Sequence, residues 1–183
     1  IHMRDDIRHN LQQNHIDIRE LDLLNRILLT TDGTLTDILE AYLLEEIQLV
    51  KLSGLIIPLS QPLPLLNLMM GEKILNRTVL LKGKVSNQNF VFATSTIALA
   101  RIEKEMLEQL QESQTPLGRL WLTQRLETFK EIVVIGTTKA KELSSYFAVN
   151  SDDEILYRTY RVFSNKQPIM VITEMFPVVK TKN

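Results

Sequence analysis

Hydrophobic positions along the chain switch between two periods, and the switches mark out the elements. Ile16, Ile18, Leu21, Leu24, Ile27 and Leu28 recur at helical spacing and predict a helix over residues 16–29, broken by Thr30-Thr31-Asp32-Gly33. Thr34 or Thr36 can cap a second helix through Leu35, Ile38, Leu39, Tyr42 and Leu43, because a threonine oxygen accepts from the free amides of a first turn. Beyond Glu46 the period shortens to two. Ile47 and Leu49 alternate with Gln48 and Val50, which predicts a strand to about Ile57. Pro58, Pro62 and Pro64 then make a loop, pinned to the body by Leu63, Leu65 and Leu66.

Two hairpins follow. A strand over Ile74–Leu81 turns at Ser86-Asn87-Gln88-Asn89 into Phe90–Thr94, and Ile155–Phe163 turns at Ser164-Asn165-Lys166-Gln167 into Pro168–Phe176. Between them, Ser95 or Thr96 is expected to open a helix with Leu99, Ile102, Met106, Leu107 and Leu110 inward and a solvated face of Arg101, Glu103, Lys104, Glu105 and Glu108. Thr115 at the cap and Pro116 at the first position start a short helix, and Glu131–Ile135 is a strand ended by Gly136. Asp152-Asp153-Glu154 reads as a solvated acidic cluster rather than a metal site. About six strands with few crossovers predict an α+β fold, mainly one antiparallel sheet with helices packed on one side. The expected organisation is one domain over residues 1–183, with 1–15 a flexible or peripheral segment and Ile1-His2 a remnant ahead of Met3.

Two charged residues break the strand pattern. Glu174 shares a strand face with Met170, Ile172 and Phe176, and Arg77 shares one with Leu75, Val79 and Leu81. A carboxylate on a dry face needs a proton or a cationic partner. Each exception alone has a bland explanation: a half-covered acid at a strand end, or an edge arginine snorkelling to water. Together, an apolar pocket with a guanidinium at one end and a carboxyl group at the other would orient a small ligand bearing a carboxylate and a hydroxyl or ether oxygen.

Composition narrows the chemistry. With 183 residues, 44% hydrophobic and 23% charged, the chain can bury a core, and no apolar run approaches the ~20 residues that span a bilayer, so no membrane insertion is expected. The polar start predicts no signal peptide, and the lack of cysteine fits a reducing cytoplasm while excluding thiolate chemistry. His2, His9 and His15 all fall in the first fifteen residues, poorly placed as general base or zinc ligand. A net charge of −1 without a basic stripe argues against nucleic acid, and no phosphate-binding glycine pattern occurs. The expectation from composition is chemistry poor in cofactors and metals, or no chemistry at all.

Arg77, the Thr115-Pro116-Leu117-Gly118-Arg119 turn, Tyr157-Arg158-Thr159-Tyr160-Arg161 and Ile172-Thr173-Glu174-Met175-Phe176-Pro177 together resemble the chorismate pyruvate-lyase family over residues 30 to 178. The likeness is closest to its cyanobacterial and archaeal branch, which carries an Arg-x-Tyr hairpin followed by Glu-x-Phe-Pro. It implies a cofactor-free lyase that removes pyruvate from chorismate to leave 4-hydroxybenzoate, a precursor of quinone head groups. By the same resemblance, Arg77 and the backbone amide of Leu117, in the turn with Gly118, hold the ring carboxylate. Leu35 lines the pocket, and Glu174 faces the oxygen that becomes the phenol and serves as general acid. The second arginine of the enterobacterial enzymes is missing, its place being occupied by Asn89-Phe90. Arg158 is then the candidate cation for the enolpyruvyl carboxylate, ahead of Arg125 and Arg161. The competing function is an effector-sensing domain of the kind found in bacterial transcription regulators, binding an aromatic acid without catalysis.

Overall fold

The computed structural model describes residues 2–112 and 116–180. The chain runs α1 (Asp5–Gln13), α2 (Leu23–Thr30), α3 (Leu35–Leu43), β1 (Ile47–Pro58), β2 (Lys73–Gly83), β3 (Asn89–Ala98), α4 (Lys104–Glu112), α5 (Leu117–Thr123), β4 (Phe129–Lys139), α6 (Ser144–Phe147), β5 (Glu154–Ser164) and β6 (Gln167–Pro177). Six antiparallel strands form one sheet in the order β1-β2-β3-β6-β5-β4. Two three-stranded meanders thus meet where β6 pairs with β3, which confirms the predicted antiparallel α+β architecture.

One face of the sheet carries the main core. Leu75, Val79, Val91, Ile97, Leu156, Val162, Met170, Ile172 and Phe176 project from it against Leu28 and Leu29 of α2, Leu39 of α3, Leu110 of α4 and Leu120 of α5. Each such leucine, removed almost wholly from water, contributes about 2 kcal/mol. The opposite face is only partly covered, by the proline-rich loop through Leu66 and Leu68 and by α6 through Phe147. α6 is therefore the exception to helices on one side.

Several boundaries differ from expectation, each for a local reason. Residues 5–13 are a helix rather than a peripheral segment: Ile7 and Leu11, one turn apart, enter the core, and the Asp6 and Asn10 side chains accept from the Ile132 and Ile135 amides at 3.1 and 3.3 Å. Since β4 lies at the sheet's end, α1 satisfies part of an edge that would otherwise be open. The helix expected over 16–29 is split, because Asp22 caps α2 by accepting from the Asn25 amide at 2.7 Å, after a 3₁₀ turn at Ile18–Glu20. Ser95 and Thr96 do not open a helix. The alternation Val91, Ala93, Ser95, Ile97 continues through β3, a 3₁₀ turn follows at Leu99–Arg101, and α-helix begins only at Lys104. β4 runs past Gly136, where a Cβ would lie 2.6 Å from the Tyr157 ring, so glycine marks a close approach rather than a strand end. The Thr115 cap lies outside the described residues.

Candidate active site

Strand register brings the two charged exceptions together. Arg77 pairs with Ser95, Ser95 with Ile172 and Ile172 with Tyr160, forming one row across β2, β3, β6 and β5. The neighbouring row runs Val79, Ala93, Glu174, Arg158. Both rows face the helices. Arg77 and Glu174 stand on strands two spacings apart, about 10 Å, and one row out of line, with the small side chains of Ala93 and Ser95 between them.

Over this gap lies an open cleft, with about 570 Å³ of non-atom space counted out into solvent at its mouth. Arg77, Glu174, Leu35 and Leu117 all line it. Gly118 falls in the first turn of α5. The turn from Gly33 to Thr36, Trp121, Lys130 and Tyr160 complete the wall.

Arg77 is 2% exposed, and its Nε and Nη2 have no hydrogen-bond partner among the described residues. Burial alone pushes its pKa down to about 10, so the guanidinium is still charged at neutral pH. Unpaired N–H groups at such depth cost the apo protein free energy that an anionic ligand would recover.

Glu174, 8% exposed, has the cationic partner that a dry face demands: Arg158 Nε donates to its Oε1 at 2.8 Å. Arg158 is 1% exposed, sends Nη1 to the Thr31 carbonyl at 2.6 Å and lies over the Tyr160 ring at 5.3 Å. Burial works to lower its pKa, but the Glu174 carboxylate together with Tyr160 and Asp32 outweighs this and holds it above the ordinary value. Arg158 is thus not the free cation expected for a second substrate carboxylate. Cross-strand pairing spends it on Glu174, beneath the cleft rather than on its wall. The two weaker candidates also lie elsewhere: Arg161 pairs with Glu131 at 2.6 Å on the other face, and Arg125 sits on the exposed turn after α5. Asn89 reaches away too, donating to the Tyr146 carbonyl at 2.8 Å.

Four wall residues escaped the sequence reading. The Tyr160 phenol is pushed well above its usual pKa by burial first and then by the Glu174 charge, so it stays protonated. Lys130 extends over the Trp121 and Tyr160 rings, 5.5 and 5.3 Å from their centroids, and burial lowers its pKa against the opposing pull of Glu174. Trp121 Nε1 is buried without a partner among the described residues. Ser95 is the fourth, read as a helix cap instead of a strand residue. Their signals are faint: Lys130 falls one residue before the predicted strand, and Tyr160 enters only within the Tyr157–Arg161 segment that carries the family resemblance. Taken as chemistry, the cleft offers unpaired cationic and N–H donors around an apolar space, with one anchored carboxylate. Among the described residues no cluster of histidine, aspartate or glutamate is placed to hold a metal, and no helix is long and apolar enough to cross a membrane.

Comparison with solved structures reproduces the fold. The effector domain of PhnF from Mycobacterium smegmatis superposes with a TM-score of 0.61 at 10% identity, covering 79% of this chain and 88% of that one. The C-terminal domain of Yurk from Bacillus subtilis gives 0.53 at 18%, covering 69% and 87%. Sequence relatives are closer. A chorismate pyruvate-lyase of Mycobacterium tuberculosis is 34% identical over 168 residues, 87% of this chain and 82% of the relative. One from Mycobacterium leprae is 34% identical over 162 residues, covering 87% and 77%, and a putative lyase of Methanocaldococcus jannaschii is 29% identical over 163, covering 85% and 80%. The model of the Rv2949c-like chorismate pyruvate-lyases matches residues 29–182, which span the cleft and every strand that builds it, and the chain belongs to that family.

Proposed function

We propose that the protein eliminates pyruvate from chorismate, leaving 4-hydroxybenzoate, in the cleft between Arg77 and Glu174. The observation that carries this reading is Arg77, a buried guanidinium with two unpaired nitrogens facing an apolar cleft that has a carboxylate on its other side. A planar ring carrying a carboxylate fits that arrangement, with the ring carboxylate on Arg77 beside the first turn of α5 at Leu117.

In the elimination the bond from ring carbon C3 to the ether oxygen breaks and the hydrogen on C4 leaves as a proton. The ring becomes aromatic, and the departing enolpyruvate takes up a proton to become pyruvate. Aromatisation supplies much of the driving force, so orientation and a positioned base suffice. The Arg158 pair changes the role expected of Glu174 from proton donor to acceptor: it receives a hydrogen bond from the C4 hydroxyl and is the nearest base for the proton lost beside it. Such a base contributes ~10²–10⁴ in rate.

The test is incubation with chorismate, following pyruvate and 4-hydroxybenzoate, with Arg77→Ala and Glu174→Gln beside the parent. Equimolar appearance of both products, lost in the variants, is expected. A parent that binds 4-hydroxybenzoate but releases no pyruvate would replace the lyase with an effector-binding domain.

A further inference from the structure

Chorismate carries two carboxylates, and Arg77 accounts for one. We infer that Lys130, together with the indole N–H of Trp121, forms a second anion subsite that takes the carboxylate on the enolpyruvyl arm; the inference rests on the lyase reading above. The arginines considered for that task are off the cleft wall: Arg158 is held by Glu174 and Thr31 beneath it, its unpartnered Nη2 included, and Arg161 pairs with Glu131 on the other face.

Lys130 meets the requirements that they do not. Among the described residues its ammonium makes only two hydrogen bonds, both long and to backbone carbonyls, Asp32 at 3.3 Å and Gly33 at 3.4 Å, and no carboxylate lies within ion-pair distance of it. The nearby Asp32 carboxylate pairs instead with Arg4 at 3.2 Å. An ammonium has three donors, so at least one is left for a ligand. The unpartnered Trp121 Nε1 belongs to the ring that Lys130 covers, so two unsatisfied donors share one corner of the cleft. Strand order separates this corner from Arg77: β2 bears Arg77, β6 Glu174 and β4 Lys130, a line of cation, carboxylate and cation across the sheet. A substrate with an acid group at each end and an oxygen between them has the complementary order. The product lacks the second acid, so this subsite would favour substrate over product and ease release.

The test uses two unreactive probes, 4-hydroxybenzoate and 3-(carboxymethoxy)-4-hydroxybenzoate, which adds a carboxylate on an ether arm. Calorimetric titration of the parent should show tighter binding of the dicarboxylate by roughly 10- to 100-fold, the value of a charge-assisted hydrogen bond. Lys130→Met should abolish that preference while changing affinity for 4-hydroxybenzoate by less than about threefold, and Lys130→Arg should restore part of it. A preference that persists in Lys130→Met, or equal loss of both probes, overturns the inference; so does an unchanged KM for chorismate in that variant, while leaving the lyase reading intact. Conversely, a parent inactive on chorismate that still prefers the dicarboxylate removes the lyase reading and keeps the dianion site. Should Lys130→Met fold poorly, Lys130→Gln and the arginine variant give the same comparison.

Discussion

Replacing Arg77 with methionine should move stability and binding in opposite directions. The guanidinium is buried with Nε and Nη2 unpaired among the described residues, and burial alone lowers its pKa to about 10. A cation whose folded pKa lies below its unfolded value destabilises the fold at all pH values below about 10, and the penalty fades only as pH rises from there toward the unfolded value. That fall corresponds to on the order of 3 kcal/mol, and the two unsatisfied donors, costing ~1–3 kcal/mol each, give a figure of the same size. Methionine keeps most of the apolar stem and has nothing to desolvate. Offset partly by imperfect packing, the ligand-free variant should be more stable by about 1–2 kcal/mol, a rise of ~2–8 °C in Tm for a chain of this size. Binding of 4-hydroxybenzoate should weaken by at least ~10- to 100-fold. Scanning calorimetry with and without the ligand reads both effects: the parent should gain Tm with ligand and the variant should not. A variant less stable than the parent in the absence of ligand would mean that Arg77 is satisfied within the protein, and the argument for an anion site would fail.

Further consequences concern the anchor beneath the site, the ligand and the sheet edge. Arg158→Met strands the Glu174 carboxylate and should cost ~3–5 kcal/mol by urea unfolding, whereas adding Glu174→Leu should restore much of it; additive losses would refute the coupling. Calorimetry should find 4-hydroxybenzoate bound more tightly than benzoate because Glu174 accepts its hydroxyl, and equal affinities would count against that contact. Asp6 has a pKa held below 3.8 because hydrogen bonds from Arg4 and Ile132 outweigh its burial. Its contribution is present above pH 3.8 and is lost as pH falls through the lower folded value, so the stability gap between parent and Asp6→Ala should be largest near neutral pH and shrink in acid. A gap independent of pH would place the contribution in packing.

Much of this architecture is legible in the sequence because period-two alternation marks both the strands and their buried faces. Arg77 and Glu174 stand out for that reason: each interrupts an apolar face, and the face assignment alone puts them in one layer. What alternation does not reveal is register. The bulge between Val162 and Phe163 shifts the β5–β6 pairing by one residue. Without it Arg158 would oppose Thr173, on the other face, instead of Glu174, so the pairing that consumes Arg158 depends on a local irregularity. Long-range satisfaction is equally silent. Asp6 and Asn10 look like ordinary polar positions of a short helix until β4 is placed beside them, and Lys130 looks like a solvated lysine until Trp121 and Tyr160 close over it.

The central claim is that one cleft holds an aromatic acid between Arg77 and Glu174, in a single orientation. A crystal structure of the complex with 4-hydroxybenzoate tests it most directly. The ring carboxylate should lie about 3 Å from Arg77 Nε and Nη2, with the phenolic oxygen hydrogen-bonded to Glu174. A ligand bound with its hydroxyl toward Arg77, or outside the cleft, would contradict the account.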